Sequence, residues 1–266
     1  MTRWLAAFRR SLGTDVLKLR RTSALALAVF LPALPPLLYF VFVLQRGNEG
    51  TPDDVSPESW TLLGIVSLWA IFLVPPFAAI ETSLLAGIEH HNGGWKQLLA
   101  LPIPRSAAYA SKYAVAAALM AIATVSISVY TLLSVWALSR LRGDAGFGGP
   151  LPIQETLVLF ALVGTASLVL LSAHTYFALR WSSFALNVGL ALTGLLGNFV
   201  LIESRFRLFF PWSLPPAIEN LAGPMVLGWG TRGTPSDVVM VMTLALAGVL
   251  ALTVLGVWRL SQRDVL

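Results

Sequence analysis

The chain has 266 residues, 56% of them hydrophobic and only 12% charged, about half the charge content of an ordinary soluble domain, and its mean hydropathy is +0.76. This leaves no room for a second, soluble domain and points to one integral membrane domain. Cysteine is absent, which excludes disulfides, cysteine-ligated metals and thiol nucleophiles. The net charge of +5 sits beside apolar stretches, as topology signals and contacts to anionic lipid heads rather than a nucleic-acid surface.

Residues 1–22 form the first element. Trp4, Leu5, Phe8, Leu12, Val16 and Leu19 fall within about a third of a helical wheel, with Arg3, Arg10 and Arg21 opposite. This predicts a basic amphipathic helix lying in the membrane interface, serving either as an anchor or as an elbow against a partner. Its mixed polar and apolar character does not read as a signal peptide.

Residues 23–266 read as a six-span domain. A bilayer core about 30 Å thick needs roughly 20 apolar helical residues. Six stretches qualify: 24–44, 60–80, 113–138, 156–176, 183–202 and 238–258. Only residues 177–182 separate the fourth from the fifth, so a re-entrant hairpin is the rival reading there. With both termini inside, 12 of the 18 lysines and arginines fall on the cytoplasmic side, as the positive-inside rule requires. Glu49, Asp53, Asp54 and Glu58 crowd the first external loop.

The one long polar insert on the cytoplasmic side is residues 89–105. Leu84, Leu85, Ile88, Trp95, Leu98 and Leu99 keep a helical period on both sides of Asn92-Gly93-Gly94, and Pro102 and Pro104 follow. Glycine permits a sharp helix end and proline stops the next helix. The expected product is a helix–turn–helix bracket at the cytoplasmic surface whose Trp95 and Leu98 dock into a partner. Glu89, Arg105 and Lys112 flank it and fix its orientation, or serve only topology.

In the fifth span, Ala185, Gly189, Thr193 and Gly197 recur every four residues, a small-residue ridge for close helix contact within or between subunits. Beyond it, Phe206, Leu208, Phe209, Phe210 and Trp212 crowd a short run ended by Pro215-Pro216. Aromatic rings favour the headgroup region, so this segment is expected to lie against the outer bilayer face, with Phe209, Phe210 and Trp212 as a lid.

Chemistry is sparse. Glu89-His90-His91 lacks the i,i+4 spacing of a helical two-histidine metal site, and no phosphate-binding loop of the G-x-x-x-x-G-K-[ST] type or Gly-x-Ser-x-Gly occurs. His174 reads as a packed polar residue. No Asp or Glu is expected near the middle of a span, which weakens an ion-coupled carrier.

The insert resembles the first cytoplasmic loop of type-two ATP-binding-cassette export permeases. The matching positions are Glu89, Gly93, Gln97, Leu98, Leu99, Pro102, Arg105 and Lys112, with Gly94 where a threonine is usual. Phe210-Pro-Trp-Ser-Leu-Pro215 resembles the lantibiotic-immunity and bacitracin-exporter subgroup. The resemblance implies an all-α integral membrane protein: six transmembrane helices, an N-terminal interfacial helix and a cytoplasmic coupling helix between spans two and three. It implies a bacterial plasma-membrane permease without catalysis or cofactor of its own. ATP and Mg would be bound by a separate ATPase, and a second permease, identical or related, would pair along the second and fifth spans. Antimicrobial peptides or other amphipathic compounds are the implied cargo. The rival readings are an integral-membrane enzyme and a non-transporting sensor or scaffold subunit coupled to an ATPase.

Overall fold

Six helices are long and apolar enough to cross a bilayer: Ala24–Arg46, Pro57–His90, Arg105–Leu141, Ile153–Arg180, Phe184–Leu201 and Pro235–Ser261. The structure, a computed structural model, describes residues 2–20, 22–47, 50–90, 94, 97, 103–201, 204–228, 230 and 233–262. Among these residues the regular structure is entirely helical. The elbow helix Thr2–Leu19 precedes the first span. The even number of spans brings both ends of the chain to one face, here called the terminal face. Arg105, which opens the third span, bonds the carbonyl of Ser261 at the end of the sixth.

The fourth span is the hub. It packs against the second, third and sixth spans. The most apolar window is 67% buried there, against 22% in the fifth span and 17% in the sixth, so the last two lie at the rim. The fourth and fifth spans are separate crossings, not a hairpin, and the chain turns between them at residues 181–183.

Two spans carry proline irregularities. Pro32 sits in a tight turn, Leu31–Ala33, that bends the first span. In the second, a widened turn over Leu68–Leu73 directly precedes Pro75 and Pro76. Proline has no N–H to donate and its ring clashes with the carbonyl four residues back. The extra residue in that turn relieves the clash, as π-bulges do.

The second and third helices are longer than the expected spans. At about 1.5 Å per residue, the 34-residue second span and the 37-residue third are each about 50 Å long or more, well beyond the bilayer core. The stretch containing Leu84, Leu85 and Ile88, expected as the first arm of a separate bracket, is instead the unbroken end of the second span, which runs to His90.

A further element was not expected at all. Helix Leu214–Leu227 lies inside the bundle, with Leu214, Ala217, Ile218 and Ala222 buried in the core. Its register against the second span is antiparallel. A side-chain carbon on Gly223 would meet Leu63, and Glu219 accepts from Ser67 Oγ at 2.8 Å. Ser67 lies ten residues, about 15 Å, along the helix from Pro57, and Leu214 lies deeper still. Residues 204–227 therefore dip from the far face into the bundle and climb back out. Within this segment, helix Leu214–Leu227 is mostly buried in the bundle, the condition for non-spanning structure at membrane depth.

Candidate coupling site at the terminal face

At the terminal face the elbow helix, the end of the second span and the start of the third meet over four charged side chains. Lys112 Nζ lies 3.1 Å from Glu89 Oε1 and 3.2 Å from Asp15 Oδ1. Lys18 Nζ approaches the same Glu89 oxygen at 2.7 Å. Ser111 Oγ donates to Asp15 Oδ2 at 2.6 Å. The side chains of Lys112 and Glu89 are only 5% and 3% exposed. Buried charges persist only when paired and hydrogen-bonded, and here two cations balance two carboxylates.

The elbow helix is built for this position. Ala7, Ser11 and Asp15 are its buried residues and, spaced four apart, form one stripe against the third span. Trp4, Leu5, Val16 and Leu17 remain exposed. Part of the apolar face is thus left uncovered, while Leu12 and Leu19 pack on the core and a stripe of small and polar side chains turns inward. Trp4 Nε1 donates to Ser106 Oγ at 3.0 Å, tying the start of the elbow to the start of the third span.

Between His90 and Ile103, the described residues are Gly94 and Gln97. Gly94 is helical, and a side-chain carbon there would sit 3.0 Å from the Cα, the carbonyl oxygen and Oε2 of Glu89. The contact is too tight for a β-branched threonine without movement of the Glu89 backbone, which accounts for glycine here. Gln97 is exposed, and both residues border a cavity of about 180 Å³ that also touches Asp15, Lys18, Glu89 and Lys112. Gly93, Trp95, Leu98, Leu99 and Pro102 lie outside the described residues. Arg105 bonds the carbonyls of Leu260 at 3.3 Å and Ser261 at 2.6 Å, where a cation suits the negative end of a helix. His90 Nε2 donates to Ala178 O at 2.8 Å, fastening the end of the second span to the fourth.

Asp15 and Lys18 are members of this site that sequence reading passed over. One signal was present: Asp15 is the only acidic residue among the first 48. Its partner Lys112 is 97 positions away.

The other candidate residues fall into two groups. On the fifth span, Ala185, Gly189 and Thr193 are exposed, and nothing lies near Gly189. Gly197 is covered by the Phe210 ring of its own chain, which a side-chain carbon would approach to 2.9 Å. In the re-entrant segment, Phe209 is 77% exposed. Trp212 turns inward, against Gly194 and edge-on to His174, with ring centroids 5.6 Å apart. Phe210 stacks beside it. The segment therefore does not lie flat on the far face: its front half is exposed and its tip plugs the bundle.

Carboxylates are buried in the membrane-spanning region, contrary to expectation. Glu81 is fully buried within the second span, with neither oxygen hydrogen-bonded among the described residues, and Glu219 is buried in the re-entrant helix. Nearby, His174 Nδ1 donates to Asn187 Oδ1 at 2.8 Å. Asn187 Nδ2 donates to Ala79 O at 3.0 Å and Ser83 Oγ at 2.8 Å. This polar chain joins the second, fourth and fifth spans.

Comparison with known proteins decides the family. A model of the ABC-2 family transporter proteins matches residues 11–198, well over half of the chain. This chain belongs to the ABC-2 transporter family. The match runs from the elbow helix through the fifth span, so it takes in all four charged residues of the terminal-face cluster. No curated protein matched the chain. The ABC-2 permease is thus a multi-pass transporter membrane subunit, and its family implies an ATP-binding-cassette partner in general terms.

Proposed function

We propose that this ABC-2 permease is the membrane half of an ATP-driven exporter of amphipathic compounds, antimicrobial peptides being the class its resemblance favours. The terminal face is cytoplasmic, the membrane is a bacterial plasma membrane, and residues 89–105 receive a separate ATPase that carries the ATP and Mg. The observation that supports this most is the buried cluster of Asp15, Lys18, Glu89 and Lys112. It sits at the root of the insert and joins it to the elbow helix and to two long spans. A push on the insert is thereby delivered to rigid helices that extend through the bilayer. Two permeases meet along the exposed Ala185, Gly189 and Thr193 ridge, and Phe209, Phe210 and Trp212 close the outer end of the path.

The test is reconstitution in vesicles with a separate ATP-binding-cassette ATPase that co-purifies with the permease. ATP-dependent movement of an amphipathic peptide, abolished by a hydrolysis-dead ATPase, supports the reading. Turnover of a substrate by the permease alone would make it an enzyme. ATPase stimulation with no movement of cargo would make it a sensor subunit.

A further inference from the structure

We infer that the groove between the elbow helix, the first span and the third span is a binding site for an anionic phospholipid. The groove encloses about 900 Å³, a volume at the upper end of the range for small-molecule sites. Its walls are Val16 and Leu19 of the elbow helix, Leu25 and Phe30 of the first span, and Ala118 and Ile122 of the third. Val16, Leu25, Phe30 and Ile122 are exposed, Phe30 to 69%, so the trough opens on the lipid-facing surface. Acyl chains are what fill such a trough at membrane depth.

One end of the groove is polar. Arg20 and Thr22 line it at the turn joining the elbow helix to the first span. Arg20 is exposed, and among the described residues the ion pairs of this face go to Lys18 and Lys112 instead. Asp15 and Glu89, the carboxylates on that side, are already engaged by those lysines. A guanidinium at the mouth of an apolar trough matches a phosphate above acyl chains, because its planar fork bonds phosphate oxygens in pairs. A cationic amphiphile fits poorly: Arg20 would meet it at the mouth, and Arg3, Arg9 and Arg10 are exposed along the same helix. The site is independent of the transport reading, since it needs neither an ATPase nor a cargo.

Native mass spectrometry of the detergent-purified permease tests it, with phosphatidylglycerol or phosphatidylcholine of identical chains added. The wild type should retain phosphatidylglycerol preferentially. Arg20→Gln should lower that retention about five-fold, the effect of one basic side chain at an anionic lipid surface, and leave phosphatidylcholine unchanged. Ala118→Trp, or Ala26→Trp should the former fail to fold, fills the trough and should reduce both lipids. Arg9→Gln should change neither. Equal retention of the two lipids by the wild type would overturn the proposal, as would a loss in Arg9→Gln equal to that in Arg20→Gln. So would undiminished binding in a folded trough-filling variant, or preferential retention of a cationic amphiphile.

Discussion

Lys112 on the third span and Glu89 at the end of the second are joined at 3.1 Å, almost wholly out of solvent, and each has a second partner on the elbow helix. Lys112 holds Asp15 and Glu89 holds Lys18. Three elements that are far apart in the chain thus share one ionic knot. Removing one member of a buried pair leaves an uncompensated charge, which typically costs about 3–5 kcal/mol. Lys112→Met should lower the thermal unfolding midpoint of the purified permease by a corresponding amount. Adding Glu89→Gln should cost much less than the sum of the two single changes, because the second substitution removes a stranded charge. Additive losses would show that the two residues do not act together.

Gly94 should resist enlargement. A threonine, the residue the resemblance leads one to expect here, would press on the Glu89 backbone at 3.0 Å. Gly94→Thr should reduce ATP-linked transport and modestly lower the thermal unfolding midpoint, since Glu89, at the end of the second span and in the ionic knot, must shift to admit the side chain. Transport equal to wild type would mean that the contact has no bearing on coupling.

The re-entrant segment should label unevenly. In this cysteine-free chain, Phe209→Cys should react rapidly with a membrane-impermeant thiol reagent. Trp212→Cys should react slowly, because position 212 faces Gly194 and His174. Equal rates at 209 and 212 would contradict a plugged bundle.

The fifth span should cross-link along part of its ridge only. Single cysteines at Ala185, Gly189 and Thr193 should give a permease dimer in membranes if the subunit pairs with itself. A cysteine at Gly197, beneath Phe210, should not. Dimers formed readily from another span and none from these three would move the subunit axis elsewhere.

The six crossings were legible because long apolar runs leave bilayer-spanning helices as the main way to satisfy their backbone. Their ends were less legible. Glu81, Thr82 and Ser83 look like the exit of the second span, yet the helix continues for nine residues beyond Glu81. Thr82 satisfies its hydroxyl on the carbonyl of Ala78 at 2.7 Å, and Ser83 accepts from Asn187. Those partners come from the same helix's preceding turn and from a distant span, so polarity alone misplaced the boundary. The helix at Leu214–Leu227 escaped notice because its 14 residues are too few to cross, two prolines open it and Pro224 falls inside it. The insert between the second and third spans stood out by its composition, whereas Asp15 and Lys18 acquire their meaning only from partners that folding brings to them.

The central claim is that residues 89–105 couple this permease to its ATPase, and Trp95 tests it most directly. Cargo-stimulated ATP hydrolysis should be measured in vesicles that hold the ATPase with wild-type, Trp95→Ala or Leu98→Ala permease, each checked for intact thermal unfolding. The account predicts that both substitutions abolish most of the stimulation and weaken recovery of the ATPase with the permease, while the spans remain folded. Unchanged stimulation together with unchanged co-purification in both variants would contradict it.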